Sequence, residues 1–274
     1  MFNPATASLI LLVLTTSSTM AGPCLPDGQE DTGYNRPIQD VSAWEKHPES
    51  LLANFCNMYQ PCVLEFPNNT PRFRMWFFGW ATTDGNPGYP GCDAIFYACS
   101  DDMIQWRVYA GDGKWDATMS PSLWKPVLWA DTKPYDEWHN GDPSVVFHNG
   151  RFYMAYSATG KPFDHTVEGR PNGMFLCIRG AVSEDGVHWN RLPEPLLFDT
   201  NPASPGLDTK EDGIVDYHRP SLMWDQGKWR LWFDYWHPNK GVCMGYAENP
   251  KAFDAPSGFQ IMHDLKTPLI SNWP

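Results

Sequence analysis

Residues 142–156 read DPSVVFHNGRFYMAY, and this stretch decides the fold. Two runs of strand-forming residues flank Asn149-Gly150, a dipeptide that strongly favours a tight β-hairpin turn. Two other segments follow the same pattern: residues 60–77 begin with QPCV and end with RFRMWF, and residues 219–233 begin with RPSL and end with KWRLWF. Each has a proline, a small residue, an aliphatic residue, a turn, and then a basic residue followed by alternating aromatic residues. The pattern predicts a repeated hairpin.

A second motif follows the hairpins. Residues 100–106 (SDDMIQW) match residues 183–189 (SEDGVHW), and residues 247–253 (AENPKAF) form a weaker third copy. We interpret it as the end of a third strand, a turn in which Asp accepts backbone N–H groups, and a Trp that opens an outer strand. Repeated units of four antiparallel strands are typical of β-propeller blades. The sequence therefore predicts an all-β chain, with about three four-stranded blades of a propeller.

The ends of the chain suggest how it is organised. Residues 7–14 form a short apolar run, and the small residues up to Ala21 are typical of a signal-peptidase site. We therefore expect a signal peptide at 1–21, an N-terminal extension at 22–57 and the propeller domain at 58–274, in a secreted or periplasmic protein. Because three blades do not close a ring, we also expect either a fragment or a partner that completes it.

Composition narrows the possible partners. The net charge of −12 argues against nucleic acid, and beyond the export signal we expect no membrane contact. Aromatic residues make up 15% of the chain, which suits a carbohydrate substrate. Among seven cysteines, the spacing makes Cys56/Cys62 and Cys92/Cys99 candidate disulfides, and no cysteine or histidine cluster has the spacing of a zinc site. The oligomeric state is not predicted.

The hairpin at 142–157 and the motif at 183–189 resemble glycoside hydrolases of the five-bladed arabinanase, β-xylosidase and invertase type. The likeness extends over roughly residues 60–253. It implies that three carboxyl groups meet in a central channel, one from the start of the innermost strand of each of the first three blades. Such groups cleave a glycosidic bond when one is protonated and another is ionised. The resemblance implies no cofactor, although a structural cation in the channel is compatible with it.

Carrying this pattern onto the chain gives the expected catalytic residues. Asp142 matches the second carboxylate, and His218 replaces the third, where a histidine can act as a general acid. Asp216 is the neighbouring alternative, as an acid or as the group that orients the imidazole. Gln60 stands at the first position and cannot act as a base. The candidates for the missing base are Glu65, Asp84, Asp93 and Asp136.

We expect a second set of residues to bind the sugar through charge, hydrogen bonds or aromatic stacking. These residues are Arg219, Asp93, Trp80, Trp138, His139 and Trp236. Two functions remain open. The first is an exported glycoside hydrolase that acts on a polysaccharide or oligosaccharide. The alternative is a non-catalytic carbohydrate-binding propeller, a pseudo-enzyme that lacks the full set of carboxylates.

Overall fold

The computed structural model describes residues 47–80, 93–130, 135–136, 139–160, 175–198, 216–237, 241–265 and 269. The predicted signal peptide and most of the predicted extension lie outside this part. The described residues form antiparallel sheets in which consecutive strands are neighbours. The predicted all-β fold is confirmed. No helix in these residues is long and apolar enough to cross a membrane.

The first sheet contains the hairpin of the first repeat and the two strands that follow it. Its strands are β1 (Cys56–Glu65), β2 (Phe73–Trp80), β3 (Asp93–Ser100) and β4 (Trp106–Tyr109), extended by β5 (Trp115–Asp116), while β6 (Leu128–Trp129) pairs with β3. A short 3-10 helix, Pro121–Leu123, lies between β5 and β6. The first four strands have the order predicted for a blade.

The second and third sheets repeat this order. The second consists of β7 (His139–His148), β8 (Arg151–Gly160), β9 (Phe175–Ser183) and β10 (Asn190–Arg191). The third consists of β11 (Tyr217–Asp225), β12 (Lys228–His237), β13 (Gly241–Asn249) and β14 (Gln260–Ile261). The prediction of three four-stranded blades is confirmed within the described residues.

The hairpin turns have the geometry that their sequences predict. In the second blade Asn149 and Gly150 have φ of 48° and 81°, and in the third blade Gln226 and Gly227 have φ of 49° and 80°. Left-handed conformations at both central residues are typical of the two-residue turn that matches the twist of a hairpin. The short turns fix the register between the first two strands of these blades.

The Ser-to-Trp motif forms the predicted Asp turn. Asp185 Oδ1 accepts the N–H groups of Val187 and His188, both at 2.8 Å, and the indole of Trp189 donates to the carbonyl of Gly186 at 3.0 Å. Burial alone would raise the pKa of Asp185, but these bonds and the His188 side chain lower it to about 2. The carboxylate is therefore ionised at neutral pH and pins the turn.

The third copy of this motif is displaced from its predicted position. Ser183 lies opposite Phe152, the second residue of β8, and Asn249 lies opposite Trp229, the second residue of β12. Asn249 Oδ1 accepts the N–H of Lys251 at 2.8 Å, as an Asp or Ser does at such a turn. Asn249, and not Ala247, is therefore the structural counterpart of the serine.

The innermost strands β1, β7 and β11 lie side by side, which makes the sheets neighbouring wedges. The small residue that follows the proline of each repeat carries the contact. The Val145 N–H donates to Cys62 Sγ at 3.2 Å, from the second blade to the first. The Leu222 N–H donates to Ser144 Oγ at 2.8 Å, from the third blade to the second. The same repeat position thus joins each blade to the next.

Aromatic side chains fill the space between the blades. Trp76 of β2 is fully buried and donates its indole N–H to the carbonyl of Gly186 in the second blade, at 2.8 Å. Gly186 has φ of 83°, and a Cβ there would lie 2.7 Å from the Trp76 ring. Glycine is required at this turn both by its backbone conformation and by the neighbouring blade.

The cysteines do not form the candidate pairs. Cys62, Cys99 and Cys177 are free and buried. The prediction of disulfides at Cys56/Cys62 and Cys92/Cys99 is therefore wrong. Burial raises the pKa of the Cys62 thiol to about 11. Cys62 acts as a small buried residue that accepts a hydrogen bond across the blade interface.

The connection after the first blade is held by one carboxylate. Asp116 is 4% exposed and accepts hydrogen bonds from the Thr118 amide at 2.8 Å, the Ser120 amide at 2.7 Å and the Trp124 indole at 2.8 Å. Burial alone would raise its pKa, but these bonds and that of the Thr118 hydroxyl lower the pKa to about 2. The ionised carboxylate is therefore the stabilising form.

We expect Asp116→Asn to lower the free energy of unfolding by about 1–3 kcal/mol at pH 7, because an amide nitrogen would face hydrogen-bond donors. Since the folded-state pKa is depressed, this stabilisation is present above about pH 4 and is lost as the pH falls toward 2. Urea unfolding from pH 7 to pH 3 measures the difference. Asp112→Asn, at an exposed position, is the control. A gap between wild type and variant that widens at low pH would contradict this assignment.

Candidate functional site

Each innermost strand has a β-bulge at the residue before its repeat proline. The pairing shifts between Tyr59 and Cys62 in β1, between Gly141 and Ser144 in β7, and between His218 and Ser221 in β11. The residues at these three bulges are Gln60, Asp142 and Arg219, with φ of 52°, 52° and 46°. Left-handed backbone is strained for residues with a Cβ, and such strain is concentrated at functional sites.

The bulges bring the predicted catalytic residues together. Asp142 is 2% exposed, and its Oδ2 lies 3.2 Å from Nε2 of His218 on the neighbouring blade. The contact lacks the alignment of a hydrogen bond, so this oxygen has no hydrogen-bond partner among the described residues. A buried carboxylate and an imidazole thus face each other where the second and third blades meet.

A second imidazole–carboxylate pair lies beside the first. His139 Nδ1 is 2.5 Å from Asp93 Oδ2, which joins the start of β7 to the start of β3. The His139 ring lies 6.0 Å from the His218 ring, and its other nitrogen, Nε2, is buried without a hydrogen-bond partner among the described residues. A Cβ on Gly141 would lie 2.9 Å from this nitrogen, so the glycine makes room for the ring.

Arg219 lies at the rim of the cluster and is held by a residue that sequence reasoning missed. Its Nη1 donates to Asp234 Oδ2 at 2.9 Å, and the other carboxylate oxygen of Asp234 lies 3.9 Å from His218 Nδ1. The Arg219 amide donates to Ser157 Oγ at 2.8 Å, which fixes the bulge against the second blade. Asp234 pairs with His218 across the β11–β12 ladder, in a register that the bulge between His218 and Ser221 shifts by one residue.

Tyr59 is the other missed residue. It precedes the first bulge, is 48% exposed, and packs edge-on against Phe78 with 4.2 Å between ring centroids. Burial and the charges of Asp142 and Asp93 raise its pKa to about 12, against the opposing effect of Arg219. Its phenol therefore faces the same cluster. Tyr59 directly precedes Gln60, the residue at the first expected carboxylate position, and this adjacency in the sequence could have identified it.

Charge and burial oppose each other at His218. Burial lowers the pKa of the imidazole, the carboxylates of Asp142 and Asp234 oppose that shift, and Arg219 reinforces it. The net direction is downward, so the ring is mostly neutral at pH 7. A proton donor at this position depends on the two carboxylates to stabilise the imidazolium.

Other predicted residues lie elsewhere. Asp216 accepts the N–H of Leu176 at 2.9 Å, and Asp234 is the second carboxylate beside His218. Among the candidate bases, Glu65 pairs with Arg72 at the hairpin end of β1, and buried Asp136 binds Tyr156 and Arg191. Asp93 is the candidate base that lies at the cluster. Asp84 and Trp138 lie outside the described residues, as do the side chains of Trp80 and Trp236.

A cavity of about 550 Å³ lies away from this cluster, lined by Tyr135, Glu194, Tyr217 and His263 among others. None of the cluster residues contributes to its wall. Volume alone does not define a catalytic site, since catalysis needs titratable groups that face one another. The candidate functional site is therefore the axial cluster of Asp93, His139, Asp142, His218, Arg219 and Asp234.

No family model and no curated protein matches the sequence of this chain. Solved structures match its fold. Zg3597, a family 117 glycoside hydrolase from the marine bacterium Zobellia galactanivorans, aligns with a TM-score of 0.51 and 15% identity over 76% of this chain. BT0996, solved in a complex with RGII, aligns with a TM-score of 0.52 and 14% identity over 81% of this chain.

The chain spans 55% of the length of Zg3597 and 60% of that of BT0996. At this level of identity the likeness shows the fold. The chain has the blade architecture of β-propeller glycoside hydrolases, and the resemblance predicted from the sequence is confirmed at that level.

The bulge at Gln60 yields a stability prediction. We expect Gln60→Gly to be more stable than Gln60→Ala by about 1 kcal/mol, because only glycine is free of the left-handed penalty. At Val63, in regular pairing on the same strand, the order should reverse. Urea unfolding of the four variants measures both differences. A Gln60→Ala protein more stable than Gln60→Gly would show that the bulge does not form in solution.

Proposed function

We propose that the protein is a glycoside hydrolase that cleaves an oligosaccharide or polysaccharide at the axial cluster. The observation that carries this proposal is the approach of Asp142 Oδ2 to His218 Nε2, 3.2 Å apart on neighbouring blades. Glycosidic cleavage needs a proton donor and an ionised carboxylate at one place. The shared fold with Zg3597, named as a glycoside hydrolase, supports the substrate class.

The two residues have complementary roles in this proposal. Asp142 is buried, and in this proposal its carboxylate stabilises the positive charge that develops on the sugar ring in the transition state. His218, as imidazolium, transfers a proton to the departing glycosidic oxygen. Asp234 lies on the Nδ1 side of the ring and offsets the loss of solvation that accompanies burial.

The rim residues bind the sugar. Arg219 is half exposed, and because Asp234 holds its guanidinium in one orientation, its remaining N–H groups can donate to sugar hydroxyls. Tyr59 presents an aromatic face beside them, and sugar rings pack on such faces. Asp93, which binds His139, is the described carboxylate best placed to act as the base that Gln60 cannot provide. Export through the predicted signal peptide at residues 1–21 would place the enzyme with extracellular or periplasmic polysaccharide.

The alternative function is carbohydrate binding without cleavage. It is favoured by Gln60, which occupies the first bulge with an uncharged amide where the other blades present Asp142 and Arg219. An amide binds sugar hydroxyls but does not accept a proton from water. Under this alternative, Asp142 and Arg219 would orient a sugar that leaves the site unchanged.

Replacement of the proposed pair tests hydrolysis. We expect wild-type protein to release reducing ends from at least one substrate in a broad glycoside panel, assayed with EDTA present. Asp142→Asn and His218→Ala should each lower the rate by about 10²–10⁴-fold, because each removes a charge or proton that acts in the transition state. Asp101→Asn and His188→Ala, exposed surface residues, are the matched controls and should keep the wild-type rate.

Two outcomes would decide against cleavage. If both site variants keep full activity, the cluster does not carry the reaction. If the wild type cleaves nothing on the panel but binds a glycan on an array, and Arg219→Ala abolishes that binding, the carbohydrate-binding alternative replaces the hydrolase.

A further inference from the structure

Three side chains at the axial cluster point metal-ligating atoms toward one another. One nitrogen of His139, one of His218 and a carboxylate oxygen of Asp142 lie within 4.8 Å of one another. His218 Nε2 and Asp142 Oδ2 are 3.2 Å apart. Two ligands of a tetrahedral zinc ion, each about 2.0–2.1 Å from the metal, lie about 3.3 Å apart. One edge of the cluster already has the spacing of a metal site.

The unused atoms face the same space. Asp142 Oδ2 and His139 Nε2 are both buried and have no hydrogen-bond partner among the described residues. The Asp142 side chain is only 3% exposed, so its unpaired oxygen is shielded from solvent. Unsatisfied buried polar atoms are uncommon in folded proteins and call for a ligand, an ion or water. Here a basic nitrogen and a carboxylate oxygen are left without partners in the same pocket.

Carboxylates lie behind both imidazoles. Asp93 binds His139 at Nδ1, 2.5 Å away, which leaves Nε2 for a ligand. Asp234 lies 3.9 Å from Nδ1 of His218, whose Nε2 faces Asp142. Histidines that bind metals almost always have a carboxylate or carbonyl on the other nitrogen, which fixes the ring and the tautomer. His139 has this contact with Asp93, and at His218 the carboxylate of Asp234 lies at ion-pair distance.

The local charge also favours a cation. Asp93, Asp142 and Asp234 surround the pocket, while Arg219 supplies one positive charge and is neutralised by Asp234. A divalent cation would compensate the remaining negative charge.

We propose that His139, Asp142 and His218 form a binding site for one divalent transition-metal ion of the Zn²⁺ type. Two imidazole nitrogens and one carboxylate are ligands that suit zinc, cobalt, nickel or iron, whereas calcium and magnesium prefer oxygen ligands. The site therefore differs from a structural channel cation of the calcium type. Three protein ligands leave an open position for water or a substrate oxygen.

The metal site does not rest on the proposed hydrolase activity, but it affects the same residues. A metal ion on His218 Nε2 occupies the nitrogen that would donate a proton. If both proposals hold, Zn²⁺ is therefore an inhibitor of hydrolysis. A hydrolase that is fully active in EDTA and loses activity as Zn²⁺ is added would show both properties.

The direct test is binding of Co²⁺ and Zn²⁺ to the purified, chelator-treated full chain. We expect visible d–d absorption of Co²⁺ that saturates at one ion per chain and is displaced by Zn²⁺, with the same stoichiometry by calorimetry. His139→Ala and His218→Gln should abolish the band. Asp93→Asn should weaken binding by about 10–100-fold, because it acts by positioning His139. His188→Ala is the control and should bind as the wild type does.

Circular dichroism and thermal melting establish that each variant is folded. Several results would overturn the proposal: no Co²⁺ band in the wild type, a band unchanged in His139→Ala, or preferential binding of Ca²⁺. These measurements contain no carbohydrate. Failure of metal binding therefore leaves the hydrolase proposal standing, and a protein that binds metal but cleaves nothing refutes only the hydrolase.

Discussion

A hydrogen bond between neighbouring blades governs the arrangement of this protein. The small residue after each repeat proline accepts the N–H of the aliphatic residue one blade further on, as Cys62 does for Val145 and Ser144 does for Leu222. An innermost strand uses its other edge in the hairpin, so this contact satisfies amides that would otherwise be buried without partners. It ties the innermost strand of one blade to that of the next. Ser221, the third residue of this type, is exposed on the open face of the third blade.

A second contact between blades supports the bulge at Arg219. A left-handed Asp142 or Arg219 costs about 1 kcal/mol or more, and such a conformation persists only where the surroundings enforce it. At Arg219 the second blade supplies such a contact, because the Ser157 hydroxyl accepts a hydrogen bond from the Arg219 backbone N–H. The bulge turns a side chain out of the sheet and toward the axis. Favourable packing between the blades offsets the strain of the bulges and so brings Asp142 and His218 together. The site is thus a property of the interface and not of any single blade.

Most of the fold could be predicted from the repeat in the sequence. Turn dipeptides, the Ser-to-Trp motif and the alternating aromatic residues predicted three four-stranded blades, since each is a local signal within one hairpin. The match to a family pattern singled out Asp142 and His218, whose side chains lie 3.2 Å apart, and their catalytic roles stay a prediction. The sequence could not predict the pairing of Asp93 with His139 or the place of Asp234, because these contacts join residues of different strands or blades through a register that bulges alter. Two predictions that used sequence spacing alone were wrong. They are the disulfides between neighbouring cysteines and the placing of the third turn motif at Ala247.

The wedge arrangement is tested most directly by amide hydrogen exchange at Leu222 and Arg219, followed by NMR. If blades two and three meet as described, both amides are protected in the wild type. Leu222 then exchanges on the order of tenfold faster in Ser144→Ala, and Arg219 in Ser157→Ala, with the β12 amides unchanged. Wild-type amides at both positions that exchange as fast as exposed ones would contradict the arrangement, and with it the convergence of Asp142 and His218.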